Sequence, residues 1–466
     1  MDLIVRGGTV VTAAETYQAD IGIEGEQIVA ITRHLDGPRV LDATDRYVLP
    51  GAIDAHVHLE LTLGDLTSSD DFVTGSIAAA CGGTTTIIDF AESKRQHSLR
   101  DTLAERRGLA DGRTVVDYGL HVSLLDAEAA TLAEIPQLIR MGCPTFKLYM
   151  AYENSWLDDG QIWAILSTLA EQGGLPIVHC ENHHVIARLI ERFRAEGKVE
   201  PRYHPLSRPA VMEGEATGRA IDLARSTGCP TYIVHVSCKE ALARIREARG
   251  RGQPVYGETC PQYLLLTEKE YLRPGFEGAK YVMSPPARTL ADNDALWTAL
   301  AKGELQVIST DHCPFFYRGQ KERGLEDFSL IPGGIPGVET RLALLYHYGV
   351  RRGRLSLQQW VAACCSNPAC IFGLSPRKGQ IAVGSDADLV IFDPQREVTL
   401  RARRLHQHVD YTPYEGRAVR GYPLHVLSRG ELIVEHGEFI GKQGRGRFLM
   451  RERIRQGYTG LSLHLF

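Results

Sequence analysis

The sequence predicts an α/β protein: a (β/α)8 TIM barrel carrying a small β-sandwich domain built from both chain ends. Three observations predict it. Strand-length apolar runs recur through the middle of the chain, helix-like segments separate most of them, and the two ends share a different texture of short alternating strands with Gly-rich turns. Near-continuous apolar strands alternating with helices belong to a parallel sheet covered on both faces. Eight such strands within about 260 residues fit a single barrel. A doubly wound open sheet is the alternative, but no GxGxxG opens a helix here.

At the start of the chain, LIVRGGTVVT and ADIGIEGEQIVAIT alternate and are rich in β-branched residues, as half-buried strands are. The same texture returns in DADLVIFDP and HVLSRGELIVEHGEF, so residues 1–50 and 375–440 are expected to form one β domain. Residues 51–374 hold the expected barrel strands: AIDAHVHL, TTTIIDFA, VDYGLHVSL, PTFKLYMAY, LPIVHCEN, PTYIVHVSC, PVYGETC and LQVISTDHC. Between them LRDTLAERRGLA, DGQIWAILSTLAEQ, EATGRAIDLARSTG and KEALARIREARG carry helical periodicity. The tail RGRFLMRERIRQGYTGLSLHLF, basic and then apolar, lies in residues 441–466 and is expected to be an arm packing on another subunit.

Composition narrows the function classes. Among 466 residues, 52 Lys and Arg face 57 Asp and Glu, a net charge of -5 that carries no electrostatic footprint for nucleic acid. No run of about 18 apolar residues is present to span a bilayer, and MDLIVRGGTV lacks the basic and long apolar regions of a signal peptide. The 10 cysteines are scattered without a CxxC pair, mostly inside apolar runs, where a thiol acts as a small hydrophobe. These features predict a cytoplasmic protein with neither a nucleic-acid nor a membrane partner.

The residues able to do chemistry fall near the C-terminal ends of the expected strands, the face on which barrels build their active sites. His56 and His58 close the first strand, and side chains at i and i+2 share a face. Lys147 lies in the fourth strand, His179 ends the fifth, His235 the sixth and Asp311 the eighth. Imidazole and carboxylate donors suit Zn²⁺. Taken singly, His-x-His reads as two satisfied strand histidines, His179 or His235 as a core histidine, and Asp311 as a helix cap. Coincidence at five strand ends is harder to dismiss. His121 stands alone in the third strand and is taken as structural; His183 and His184 are expected in a loop. Lys147, flanked by Phe146 and Leu148, faces either the barrel interior or the helix layer. Burial would depress its pKa, and a neutral amine can take up CO₂ as a carbamate whose two oxygens bridge two divalent ions. Its bland reading is a lysine that snorkels to the barrel mouth.

Taken together, GAIDAHVHLE, FKLYMAY, VHCEN, VHVSC, GETCPQYL, MSPPAR, STDHCPF and IPGGIPGVE resemble the cyclic amidohydrolases, and among them the dihydropyrimidinase/hydantoinase family, D-hydantoinases included. The similarity runs over essentially the whole chain. It implies two Zn²⁺ per subunit: His56, His58 and Asp311 on one ion, His179 and His235 on the other, with N6-carboxylysine at Lys147 bridging both. It further implies that Tyr152 donates to the developing oxyanion, while Ser284 and the backbone near Gly333 hydrogen-bond the substrate ring. The zinc pair would make hydroxide available near neutral pH. Asp311 would take its proton and deliver it to the leaving ring nitrogen, opening a cyclic imide or ureide to an N-carbamoyl amino acid. A homotetramer is implied as well.

The chain departs from the family pattern in places. Gly333 stands where Asn is frequent, His183 follows HCEN where Gly is usual, and LELTLGDLTSSDD after His58 lacks the usual proline and aromatic. Leu61, Leu63 and Trp156 are expected to form an apolar pocket wall favouring a substituted ring over dihydrouracil, although core packing would account for them equally. Dihydroorotase would need an arginine near the first His pair, where this chain has His58-Leu59-Glu60. Allantoinase is a closer alternative because GGIPG resembles the glycine pair of that branch, but MAY and DHCPF pull the other way. The collapsin response mediator proteins, metal-free scaffolds of the same fold, lose ligands that are all present here.

Overall fold

Residues from the two chain ends meet in one sheet. The computed structural model describes residues 1–95 and 97–453. Its first fifty residues supply β1 (Leu3–Val11), β2 (Thr16–Glu24), β3 (Gln27–Thr32), β4 (Val40–Asp42) and β5 (Tyr47–Pro50). The chain then enters a second sheet with β6 (Ala52–Val57) and makes a short hairpin, β7 (Thr62–Leu63) and β8 (Leu66–Thr67). Seven strands continue the second sheet: β9 (Thr84–Ala91), β10 (Asp117–Ser123), β11 (Thr145–Tyr149), β12 (Leu175–His179), β13 (Thr231–Ile233), β14 (Val255–Thr259) and β15 (Val307–Ile308). The chain returns to the first sheet through β16 (Leu389–Thr399), β17 (Ala418–Ser428), β18 (Glu431–Glu435) and β19 (Glu438–Phe439).

The first sheet runs β19-β18-β17-β16-β5-β1-β2-β3, with β4 on β1. Its two halves join where β5 and β16 pair antiparallel, Leu49 opposite Val390 and Val48 opposite Ile391, all four buried. The second sheet is parallel in the order β6-β9-β10-β11-β12-β13-β14-β15. It closes on itself: the segment after β15 bridges back to β6 at Val57 and His312, and the His58 N–H donates to the His312 carbonyl at 2.8 Å. The buried Arg341 guanidinium staples this seam, donating to the Ile53 and Ile308 carbonyls at 2.8 Å each. An eight-stranded barrel beside a separate, largely antiparallel sheet is thus the observed architecture.

Helices cover the barrel where the periodicity places them, at Leu99–Ala110, Asp159–Gln172 and Lys239–Gly250. The helix expected from Glu215 starts earlier, at Ala210, because Ala-Val-Met-Glu after Pro209 already favours helix. His183 and His184 are a correction: they open the helix His183–Ala195 instead of lying in a loop. The physical reason is Asn182, whose side chain accepts from the Val185 N–H at 3.1 Å and caps that helix.

Barrel and sheet are tied by a buried ion cluster. Lys378 lies 2.7 Å from Asp117 at the start of β10, 2.7 Å from Asp388 and 2.9 Å from Asp386, all buried. Residues 441–453 run along the opposite end of the barrel from the strand C-termini. The Leu449 N–H donates to the Tyr118 carbonyl at 2.7 Å and the Arg451 N–H to the Gly142 carbonyl at 3.1 Å. The rest of the expected arm, residues 454–466, lies outside the described residues.

Candidate metal centre

The alternation of β11 decides which way Lys147 points. Phe146 and Leu148 pack into the apolar cluster beneath the helices, so Lys147 between them faces the barrel interior and is buried. There its Nζ lies 5.1 Å from the Phe90 ring centre and 5.3 Å from that of Tyr149. Among the described residues it makes no ion pair within 4.0 Å. Burial, the largest influence, lowers the amine's pKa against the opposing pull of Asp311, Glu258 and Glu92.

Within electrostatic reach of Lys147 stand His56 and Asp311, and His58 joins them. Asp311 Oδ1 is 3.2 Å from His56 Nε2 and 3.3 Å from His58 Nε2. The donor atoms of these three residues all lie within 4.8 Å of one another, a spacing one cation can satisfy. Asp311 comes three residues past β15 with a left-handed backbone, φ 53. Asp54 fixes the approach: its carboxylate accepts from the Thr310 N–H at 3.1 Å and hydroxyl at 2.7 Å. His56 presents its other nitrogen, Nδ1, to Glu258 at 2.8 Å. Such a carboxylate fixes the ring and its tautomer, the arrangement behind metal-binding histidines. Burial raises the Glu258 pKa, while its second oxygen accepts from the Tyr232 hydroxyl at 2.9 Å.

In a second cluster, whose His235 ring centre lies 5.4 Å from that of His56, His179 Nδ1 faces His235 Nε2 at 3.0 Å. His179 ends β12, and its Nε2 is held by Glu181 at 2.8 Å; Arg208 in turn holds Glu181 at 2.6 Å. His235 reaches this position by a backbone turn. Ile233, the last residue of β13, faces the helix layer, so continued alternation would send His235 the same way; φ 40 at His235 breaks the alternation. A non-glycine residue there costs on the order of 1–3 kcal/mol, and such strain collects at functional sites.

The residues fit a divalent-metal group. His56 Nε2 is buried and lacks an aligned hydrogen-bond partner, although it lies within 3.2 Å of Asp311. Burial, the largest influence, holds His56 and His235 well below the usual histidine range, which keeps them in the neutral form that binds metals. Asp311 goes the other way. Burial alone would raise it, but His56, His58 and Lys147 together hold its carboxyl below the ordinary value, so it is charged at neutral pH. Four imidazoles and one carboxylate around an enclosed amine form a donor set suited to Zn²⁺.

Tyr152, Ser284 and Gly333 come together beside this centre. The Tyr152 ring lies 4.8 Å from that of His179, and the Ser284 hydroxyl is close enough to its phenol to act on its ionisation. A side chain built on Gly333 would meet the Ser284 hydroxyl at 3.7 Å, so the two are neighbours. Although 37 % of Tyr152 is exposed, its phenol oxygen is enclosed, and burial raises its pKa. Tyr152 also has a left-handed backbone, φ 76, held by a turn in which the Ser155 and Trp156 N–H groups both donate to its carbonyl. The proposed apolar wall is less uniform. Trp156 is half-buried and stacks on His183, with ring centres 5.0 Å apart and planes 11° from parallel. Leu61 and Leu63 sit instead on the β7–β8 hairpin, where Leu63 is 45 % exposed.

Sequence reasoning missed Glu181, Glu258 and Arg208, which orient the candidate ligands. Two of them carried a readable signal: Glu181 follows His179 by two residues, and Glu258 lies near the end of its own barrel strand. Arg208 sits between helices, where no period marks it. His121 is a satisfied core histidine, its Nδ1 2.6 Å from the Thr145 hydroxyl and its Nε2 3.0 Å from the Ala55 carbonyl.

With this geometry established, comparison with known proteins places the chain. Residues 47–433 match the model of the Amidohydrolase family. A D-hydantoinase from Ralstonia pickettii is 45% identical over 459 residues, covering 98% of this chain and 100% of the relative. Among solved structures, the D-hydantoinase from a Bacillus sp. AR9 superposes with a TM-score of 0.96 at 48% identity, over 98% of this chain and 100% of that one. A dihydropyrimidinase from Brevibacillus agri NCHU1002 gives a TM-score of 0.97 at 46% identity, over the same shares. The chain belongs to the amidohydrolase family. Within that family it is an enzyme, a cyclic amidohydrolase of the hydantoinase/dihydropyrimidinase kind.

Proposed function

We propose that this enzyme is a binuclear-zinc hydrolase that opens the cyclic amide of hydantoins and dihydropyrimidines to N-carbamoyl amino acids. The observation that carries the reading is the convergence of two donor clusters, His56/His58/Asp311 and His179/His235, whose His56 and His235 ring centres lie 5.4 Å apart, within electrostatic reach of the buried Lys147. In this reading Lys147 is N6-carboxylysine: its neutral amine adds to CO₂ and loses one proton, giving a carbamate anion with two oxygens. The depressed pKa supports this, because only the neutral amine reacts. Two Zn²⁺ held by these six residues supply Lewis acidity and bring the ionisation of water toward neutral pH.

The chain's own groups do the rest. Asp311, charged at neutral pH, holds the attacking water's proton at its carboxylate and passes it to the leaving ring nitrogen. Tyr152, whose raised pKa keeps the phenol protonated, donates to the carbonyl oxygen as negative charge develops there. Ser284 and the backbone at Gly333 grip the ring. Trp156, with Leu61 and Leu63 across the mouth, faces the exocyclic group and favours a substituted ring. A homotetramer and a cytoplasmic location complete the reading. The location is supported by 10 free cysteines, none paired among the described residues. A hydrolysis panel on zinc-loaded protein tests it with dihydrouracil, D- and L-5-substituted hydantoins, and allantoin. Ring opening of the hydantoins, fastest for substituted ones, is expected; turnover of allantoin alone, or no zinc dependence, overturns it.

A further inference from the structure

Besides Lys147 and the ion-paired Lys378, the chain buries a further lysine that the chemistry above does not use. Lys321 lies in the excursion between Asp311 and Ile335 and is fully enclosed, 0% exposed. Its Nζ donates to two backbone carbonyls, Val282 at 3.0 Å and Pro332 at 2.9 Å. Those acceptors belong to different segments: Val282 precedes Ser284 by two residues, and Pro332 directly precedes Gly333. The Gly334 N–H donates to the same Val282 carbonyl at 3.0 Å. The neighbours of Lys321 reach the other way. Gln320 donates to the Thr67 carbonyl at 2.8 Å, and Arg323 pairs with both Asp65 oxygens, at 2.7 and 2.8 Å, on the β7–β8 hairpin.

Enclosing an amine among carbonyls, with no carboxylate partner among the described residues, is expensive; burial pushes Lys321 down to about 7. A methionine would fill the same space without that cost, so what the site gains from lysine is a donor with two prongs. We propose that Lys321 is a positioning residue for the cyclic substrate: by stapling the Val282 and Pro332 carbonyls it sets the spacing between Ser284 and Gly333. The inference rests on the reading of the site as a cyclic-amide hydrolase that grips its ring through those two residues. A staple on ring contacts acts on substrate and transition state alike. Its loss therefore raises KM and spares kcat, unlike loss of a metal ligand or of Tyr152.

The test compares Lys321→Met and Lys321→Gln with the wild type, all full-length and zinc-loaded. The readouts are steady-state kinetics on hydantoin and dihydrouracil, zinc content, and amide hydrogen exchange in residues 282–284 and 333–334. Lys321→Met is expected to raise KM about 10-fold with kcat changed by less than about threefold, zinc content unchanged and exchange faster in both segments. Lys321→Gln, which keeps an NH₂ donor, is expected to recover part of the KM loss. A lower melting temperature with unchanged KM, or a joint collapse of kcat and zinc content, overturns the proposal. If Lys321→Met does not fold, unchanged KM and unchanged exchange in Lys321→Gln overturn it instead. Should the wild type open no ring, the proposed function fails, whereas the exchange readout needs no turnover and still decides whether the staple exists.

Discussion

Tyr152→Phe isolates one atom. The substitution keeps the ring, so its contact with His179 at 4.8 Å and the Arg208 guanidinium 5.6 Å from its centre are preserved. The left-handed backbone at position 152 is no worse for Phe than for Tyr, and the turn that holds it bonds to the carbonyl, not the phenol. Folding and metal binding should therefore survive. What disappears is the enclosed donor beside Ser284. A donor aimed at a developing oxyanion in a water-poor site contributes on the order of 3–4 kcal/mol to the transition state, so kcat is expected to fall by about 10²–10³. KM should change little, because the ground-state carbonyl carries less charge than the oxyanion. The assay is steady-state hydrolysis of a 5-substituted hydantoin, with zinc measured on the same preparation. A kcat within about threefold of wild type at full zinc occupancy would refute the assignment of Tyr152 as the oxyanion donor.

Glu181→Gln removes the charge that holds the far nitrogen of His179 and is expected to weaken zinc binding by about 10–100-fold in a chelator competition. It should also flatten the acid limb of stability. Burial, the largest influence on Glu181, raises its pKa, but Arg208 and His179 outweigh it and hold the carboxyl at about 2 against an ordinary 4.5. A depressed carboxyl stabilises the fold above its unfolded pKa and loses that contribution as pH falls toward its folded one. Wild type should thus lose about 3 kcal/mol between roughly pH 5 and 2 that the variant never had; equal acid-side loss in melting scans of both proteins counts against this account. Lys378→Met strands Asp117, Asp386 and Asp388 without their shared cation and is expected to cost about 3–5 kcal/mol by denaturant titration. A cost below about 1 kcal/mol would mean that Arg429, 3.1 Å from Asp117, already carries the cluster.

The candidate metal ligands could be found from sequence because a parallel barrel collects the C-terminal ends of its strands on one face. Once eight strands are recognised, a histidine or aspartate near a strand end has only one direction in which to act. Lys147 shows the boundary of that reasoning. Its strand could be read, but its side could not, because flanking apolar residues suit either layer; the structure decides it by placing Phe146 and Leu148 under the helices. His235 and Asp311 lie beyond the strands proper, and their positive φ values, 40 and 53, have no counterpart in an alternating pattern. Residue type revealed them, not register. Arg208 and Lys321 were invisible for a different reason. Each acts through a tertiary approach, Arg208 onto Glu181 and Lys321 onto two carbonyls, from segments without strand or long-helix periodicity. The wall residues lie furthest from what a sequence reveals: an apolar Leu63 on a two-residue strand proves 45 % exposed, whereas Trp156 finds its partner in His183 at the start of another helix. The candidate metal ligands on the strands thus follow from the strand pattern and those just past the strand ends from residue type, while the candidate ring-contact and wall residues sit on excursions whose lengths and contacts that pattern does not constrain. Divergence in substrate among barrels with the same ligand set is therefore expected to arise in segments such as 60–68, 150–157 and 313–335, with the strands left alone.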